Sequence, residues 1–108
     1  MYTIKYHLDA EKEANALPLK IKVKYDRIIQ KLEQFPNYLR EPDTKSLGNG
    51  LFELRTVGSE IARGLWVYHK GRTIIMLRIF IKKSQKTPKS EFDLAKKRLQ
   101  ELLNNENA

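Results

Sequence analysis

Three strand-like apolar runs, at about 51–56, 61–68 and 73–81, do most to limit what this chain can fold into. They stand at hairpin spacing, with Gly58-Ser59 and Lys70-Gly71 between them, where glycine tolerates the positive φ of a tight turn. Runs of this length and spacing pair with their chain neighbours, so the sequence predicts a three-strand meander. Each run carries one arginine near an end: Arg55, Arg63 and Arg78.

The flanking segments read as one strand and three helices. Residues 2–8 alternate polar and apolar groups and include aromatic and β-branched types, which predicts a strand. Asp9 is placed to cap a short helix over 10–16, and Pro18 breaks that helix or opens the next. Ile21, Tyr25, Ile28, Leu32 and Phe35 follow at steps of three and four, the spacing of one buried helix face. Lys20, Lys24, Arg27 and Lys31 fall mostly elsewhere on that helix and keep it wet. Residues 37–50 read as a polar connector. After the meander, Thr87 is placed to cap a last helix whose apolar stripe is Phe92, Ala95, Leu99 and Leu102, with a frayed tail over 104–108. The expected order is β-α-α-β-β-β-α in one domain over residues 1–108. It is an α+β fold with a small, mainly antiparallel sheet and helices packed on one face, which leaves the other face for a partner.

Charge narrows the partner. Lys+Arg number 21 against 13 Asp+Glu, a formal net charge of +8, and such an excess draws polyanions, nucleic acid foremost. With no cysteine, disulfides, zinc–thiolate sites and thiol nucleophiles are excluded. His7 and His69 stand in no metal-ligand spacing, so no metal or cofactor is expected. No apolar signal region or spanning run is read in the sequence, so a cytoplasmic chain, away from membranes, is expected.

The arginines fall into register if the hairpins turn tightly. A two-residue turn at Lys70-Gly71 pairs Val67 with Ile74 and Leu65 with Met76, setting Arg63 opposite Arg78. A three-residue turn in the first hairpin puts Arg55 on the same face. Like charges opposed in a sheet cost up to about 1 kcal/mol, unless a carboxylate such as Glu53 or Glu60, or a bound anion, offsets them. Beyond the last run come Lys82, Lys83, Lys86 and Lys89, a basic strand end and loop. Guanidinium grips phosphate in a two-point fork, and ammonium adds a mobile charge. In this register Trp66 and Tyr68 project from the opposite face. Trp66 reads as core, while Tyr68, near the strand end, can reach a base or a proton.

Two motifs carry a family resemblance. The block Leu47-Gly48-Asn49-Gly50-Leu51-Phe52-Glu53-Leu54-Arg55, then Arg63, Tyr68 and Phe80-x-Lys82-Lys83-x-x-Lys86-Thr87-Pro88, resembles the phage-derived Gp49-like branch of HigB toxins in the RelE/ParE superfamily. The resemblance covers roughly residues 45–103. It implies a RelE-like fold and the toxin of a type II toxin–antitoxin system, a metal-independent endoribonuclease that cleaves messenger RNA on the ribosome. In that chemistry the 2′-OH beside the scissile bond attacks phosphorus, leaving a cyclic phosphate and a free 5′-OH. The implied partners are a cognate helix-turn-helix antitoxin, the ribosome and messenger RNA.

Roles follow from the same resemblance. Arg55 and Arg63 would brace the phosphate, while Lys45, Lys82, Lys83, Lys86 and Lys89 would hold nucleic acid. Lys83 or Lys86 would carry a proton, since crowding by other cations pushes an ammonium toward neutrality. Tyr68 is an alternative acid. The chain reads Arg78-Ile79-Phe80 where the branch often has His-Gly-Phe. A guanidinium stays protonated, so Arg78 could stabilise charge but leaves the base open. Two other readings stand beside this one: a ParE-like toxin acting on DNA gyrase without nuclease activity, and a non-catalytic nucleic-acid-binding module.

Overall fold

The computed structural model describes residues 1–40, 43–81 and 86–106. Strand β1 (Thr3–Tyr6) leads into helices α1 (Leu8–Asn15) and α2 (Leu19–Gln34) and a 3-10 turn at Pro36–Tyr38. Strands β2 (Thr44–Gly48), β3 (Leu51–Arg55), β4 (Ala62–His69) and β5 (Thr73–Ile81) follow, and helix α3 (Lys89–Glu106) closes the chain. The five strands form one sheet in the order β1-β5-β4-β3-β2. Only the β1–β5 pair is parallel among the described pairings. The α+β class and the predicted meander are both present.

Part of the expected connector is a strand. Thr44–Gly48 pairs antiparallel with β3 through a turn in which Gly48, Asn49 and Gly50 all take positive φ (92°, 54° and 81°). The Thr44 hydroxyl donates to the Glu53 carbonyl at 2.9 Å, locking the hairpin. An edge strand keeps one side wet, which is why so polar a segment can be one.

The helices do not share a face, which corrects the expected layering. α1 and α2 cover Leu54, Trp66, Ile74, Met76 and Ile79 on one side of the sheet. Ala95 and the stripe Phe92, Leu99 and Leu102 of α3 cover Leu51, Leu65, Val67, Ile75, Leu77 and Phe80 on the other. The physical reason lies in β4 and β5, whose central residues are apolar on both sides. Leaving Leu65, Val67, Ile75 and Leu77 wet would forgo about 1.5–3 kcal/mol for each.

Register also departs from expectation. The second hairpin closes at His69 and Thr73, with three residues in the turn rather than two, so Val67 faces Ile75. A bulge then inserts Leu77, because Leu65 pairs with Arg78 while Trp66 pairs with Met76. Arg63 therefore faces Phe80, not Arg78, and on its other side faces Arg55 directly. The first hairpin loop is longer than three residues and is closed by Thr56 N–H to the Ala62 carbonyl at 3.0 Å.

Two helix ends differ as well. His7, not Asp9, caps α1: its Nδ1 accepts from the Asp9 N–H at 3.1 Å, and the helix starts at Leu8. The expected frayed tail is helical to Glu106, whose carboxylate reaches His69 Nε2 at 3.0 Å.

An ionic clamp finishes the sheet edge. β1 ends at Tyr6, opposite Met76, so the rest of β5 lacks a neighbouring strand there. Glu13 of α1 accepts the Ile79 N–H at 3.0 Å, and Arg98 of α3 donates to the Leu77 carbonyl at 2.9 Å. Arg98 grips Glu13 in two places, at 2.8 and 2.9 Å. Arg78 bridges Glu13 at 2.5 Å and Glu91 at 2.9 Å. Burial pushes the Glu13 carboxyl up, but hydrogen bonds from Arg98 and Ile79 and the nearby Arg78 outweigh it and hold it below the usual range.

Candidate functional site

Strand alternation builds the site. Glu53 and Arg55 lie two apart on β3 and so share a face, and cross-strand pairing sets Arg63 directly opposite Arg55. Glu53 is 0% exposed, and a carboxylate so buried is costly unless it is hydrogen-bonded and paired. It accepts Arg55 Nε at 2.6 Å and the Thr87 hydroxyl, while Arg63 Nη1 reaches Thr87 Oγ1 at 3.3 Å. Two guanidiniums, one carboxylate and one hydroxyl thus converge from β3, β4 and the segment before α3, with a net charge of plus one. Thr87 was expected to cap the last helix; instead its hydroxyl serves this cluster.

The two arginines sit at different depths. Arg63 is 1% exposed, whereas the Arg55 side chain is 25% exposed and is the member solvent reaches. Burial lowers the Arg63 pKa, Arg55 beside it pushes the same way, and Glu53 opposes them. A buried cation next to a second cation stabilises any anion that replaces water above it. Glu53 keeps both charges in place without neutralising them.

The remaining candidates divide by position. Lys86 directly precedes Thr87 and is exposed, and Lys45 pairs in register with Glu53 on the edge strand. Lys89 opens α3, its side chain 90% exposed and 4.0 Å from Asp93. Lys82 and Lys83 lie outside the described residues. Arg78 shares the face of Arg63, but its guanidinium is engaged by Glu13 and Glu91. Burial lowers its pKa, and hydrogen bonds and charge from Glu91 and Glu13 raise it further than that, so it stays above the ordinary value.

Tyr68 is not brought to the arginines. It lies behind the sheet, edge-on to Phe52 and Trp66, and its hydroxyl donates to Asn37 Oδ1 at 3.0 Å. Burial and the neighbouring Tyr2 raise its pKa. It lines a cleft of about 440 Å³ with Arg40, Phe52 and Trp66, on the side away from Arg55 and Arg63. Trp66 is buried there, in the core role its spacing predicts.

Glu53 and Thr87 were the members missed as site residues. The signal for Glu53 was present: a carboxylate two before an arginine on a strand shares its face. Among the described residues, no group of three or more His, Cys, Asp or Glu is placed to hold a metal ion. No helix among them is long and apolar enough to cross a membrane.

Residues 12–100 match the family described as phage derived protein Gp49-like. No curated protein matches the chain in sequence. Among solved structures, an arginine double mutant of Escherichia coli toxin RelE in the free state superposes with a TM-score of 0.66 at 15% identity, over 90% of this chain and 96% of that one. The toxin–antitoxin complex RelBE2 from Mycobacterium tuberculosis gives 0.57 at 22% identity, over 75% of this chain and 98% of that one. The archaeal RelE–RelB complex from Pyrococcus horikoshii OT3 gives 0.55 at 19% identity, over 79% and 98%. At these identities the likeness is one of fold.

Proposed function

We propose, on the premise that this chain belongs to the phage-derived Gp49-like family, that it is a HigB-type toxin of a type II toxin–antitoxin pair. In this reading it acts in the cytoplasm as a metal-independent endoribonuclease on ribosome-bound messenger RNA. A RelE-like fold supports the class. The observation that carries the reading is the opposed Arg55–Arg63 pair held by a buried Glu53 beside Lys86-Thr87.

Cleavage proceeds by attack of a ribose 2′-oxygen on the adjacent phosphorus. The phosphorus–O5′ bond breaks, leaving a 2′,3′-cyclic phosphate and a 5′-hydroxyl. A base takes the 2′-OH proton and an acid returns one to the 5′-oxygen. Arg55, at the surface, forks onto the non-bridging oxygens, and Arg63 stabilises the growing negative charge from beneath. Lys83 or Lys86 carries the proton, and Lys45, Lys82 and Lys89 hold flanking phosphates. Arg78 serves the clamp between α1, β5 and α3. A helix-turn-helix antitoxin silences the toxin; two of the similar structures are RelE–RelB-type toxin complexes with their antitoxins.

The test is tightly controlled expression with transcript-end mapping. Growth arrest with new ends inside coding sequence supports the reading. Arrest with intact transcripts and impaired supercoiling by gyrase points to the ParE-like alternative. Nucleic-acid binding without arrest leaves a plain binding module.

A further inference from the structure

Helix α2 sorts its charges by side. Lys20, Lys24, Arg27 and Lys31 are all exposed. At 3.6 residues per turn they fall within about 60° of arc and extend about 16 Å along the axis. The buried stripe Ile21, Tyr25, Ile28 and Leu32 lies about 100° round the helix from them. The acids of the helix, Asp26 and Glu33, lie beyond that stripe on the opposite flank, where Asp26 holds Lys22 at 2.8 Å.

The cationic flank leads to the arginine cluster. It borders one groove with Ser59 and Glu60, and a second of about 140 Å³ with Asp43, Arg55 and Thr56. Lys24 lines both grooves, and its Nζ donates to the Val57 carbonyl at 2.8 Å. Lys31 reaches Asp43 at 3.2 Å. The Lys24 bond holds α2 against the loop after β3 and the Lys31 bond holds it against the residue before β2, so the stripe ends at Arg55. Asp43 and Glu60 are the acids lining the grooves, against Lys20, Lys24, Arg27, Lys31 and Arg55. No aromatic side chain lines either groove among the described residues.

That last feature separates two kinds of RNA. Proteins hold single strands by stacking bases on aromatic rings, whereas paired RNA is held by its shape and its phosphates. A stripe of about 16 Å meets about four or five phosphates on one strand of a duplex. We infer that this flank of α2 docks the sugar–phosphate backbone of paired RNA lying next to the cleaved strand. The inference rests on the ribonuclease reading and deepens it.

The test uses the full chain and two probes, a 16-base-pair RNA duplex and an unstructured 16-nucleotide strand, in fluorescence anisotropy over a salt series. The variant Lys20→Gln/Lys24→Gln/Arg27→Gln/Lys31→Gln is compared with a charge-matched control, Lys5→Gln/Lys12→Gln/Lys96→Gln/Lys97→Gln. The milder Lys20→Gln/Arg27→Gln keeps the contacts of Lys24 and Lys31 and guards against misfolding. The stripe variant is expected to lose tenfold or more in duplex affinity. Its salt slope should shallow by about 3.6, at about 0.9 for each of four phosphates no longer neutralised. The mild variant should lose about half as much on the logarithmic scale, and the control less than threefold. Equal losses in stripe and control variants, or an equal loss on the single strand, would overturn the inference. Transcript cleavage by the wild type is scored separately, so failure of the ribonuclease reading is told apart from failure of the docking surface.

Discussion

Neutralising Glu53 should loosen the whole cluster. The carboxylate is 0% exposed and accepts from Arg55 and Thr87, with Arg63 buried alongside. Glu53→Gln keeps the shape and one acceptor oxygen but removes the Glu53 charge from beside the opposed Arg55 and Arg63. Breaking a buried pair costs about 3–5 kcal/mol. The glutamine oxygen and the partial exposure of Arg55 recover some of that, so about 2–3 kcal/mol is the expected loss. For a domain of this size that lowers Tm by roughly 10–15 °C. Thermal and urea unfolding at pH 7 read it directly. A double-mutant cycle with Arg63→Met identifies the cause: if like-charge crowding is responsible, the two losses should fall short of additivity by at least about 1 kcal/mol. A Tm drop under about 3 °C, or strict additivity, refutes the reasoning.

Further outcomes follow from the clamp and the core. Glu13 has its folded pKa held below the ordinary carboxylate value of about 4.5, so its stabilisation is complete above that value and is lost as pH falls through the lower folded value. Acid unfolding of Glu13→Gln should therefore lack part of the wild-type loss of stability below about pH 4.5, measured by denaturation midpoints across pH 2–7; parallel wild-type and variant curves count against the clamp. A Cβ on Gly64 would meet Met76 Cε at 2.8 Å and Leu54 Cγ at 3.1 Å. Met76 can swing away but Leu54 is core, so Gly64→Ala should cost about 1–2 kcal/mol in urea unfolding, and a stabilised variant would show slack at that crossing.

Much of this arrangement was legible in the residues. Strands β3, β4 and β5 stood out by apolar content and turn residues, and α2 and α3 by stripes at steps of three and four. Arg55 and Arg63 were expected on one face and lie there, although the loop between them is longer than assumed. β2 escaped because Thr-Lys-Ser-Leu-Gly has the polarity of a connector, and only its pairing with β3 makes it a strand. The position of α3 was readable in principle, since residues 62–67 and 74–77 are buried on both faces and one layer of helices covers only one. The bulge at Leu77 left no local mark, because both neighbours of that residue fit a regular strand. The Glu13–Arg98 contact spans 85 positions in sequence, and nothing nearby announces it. The expected roles of Lys82 and Lys83 lie outside the described residues.

The central claim is that Arg55 and Arg63 form the charge site at which RNA is cut. Purified ribosomes stalled on a defined messenger, treated with wild-type protein or with Arg55→Ala, test it most directly when fragment ends are read chemically. Wild type should yield 2′,3′-cyclic phosphate and 5′-hydroxyl ends, and Arg55→Ala should cleave on the order of 10²–10³ times more slowly while still binding the ribosome. Equal cleavage by both proteins, or ends of another chemistry, would contradict the account.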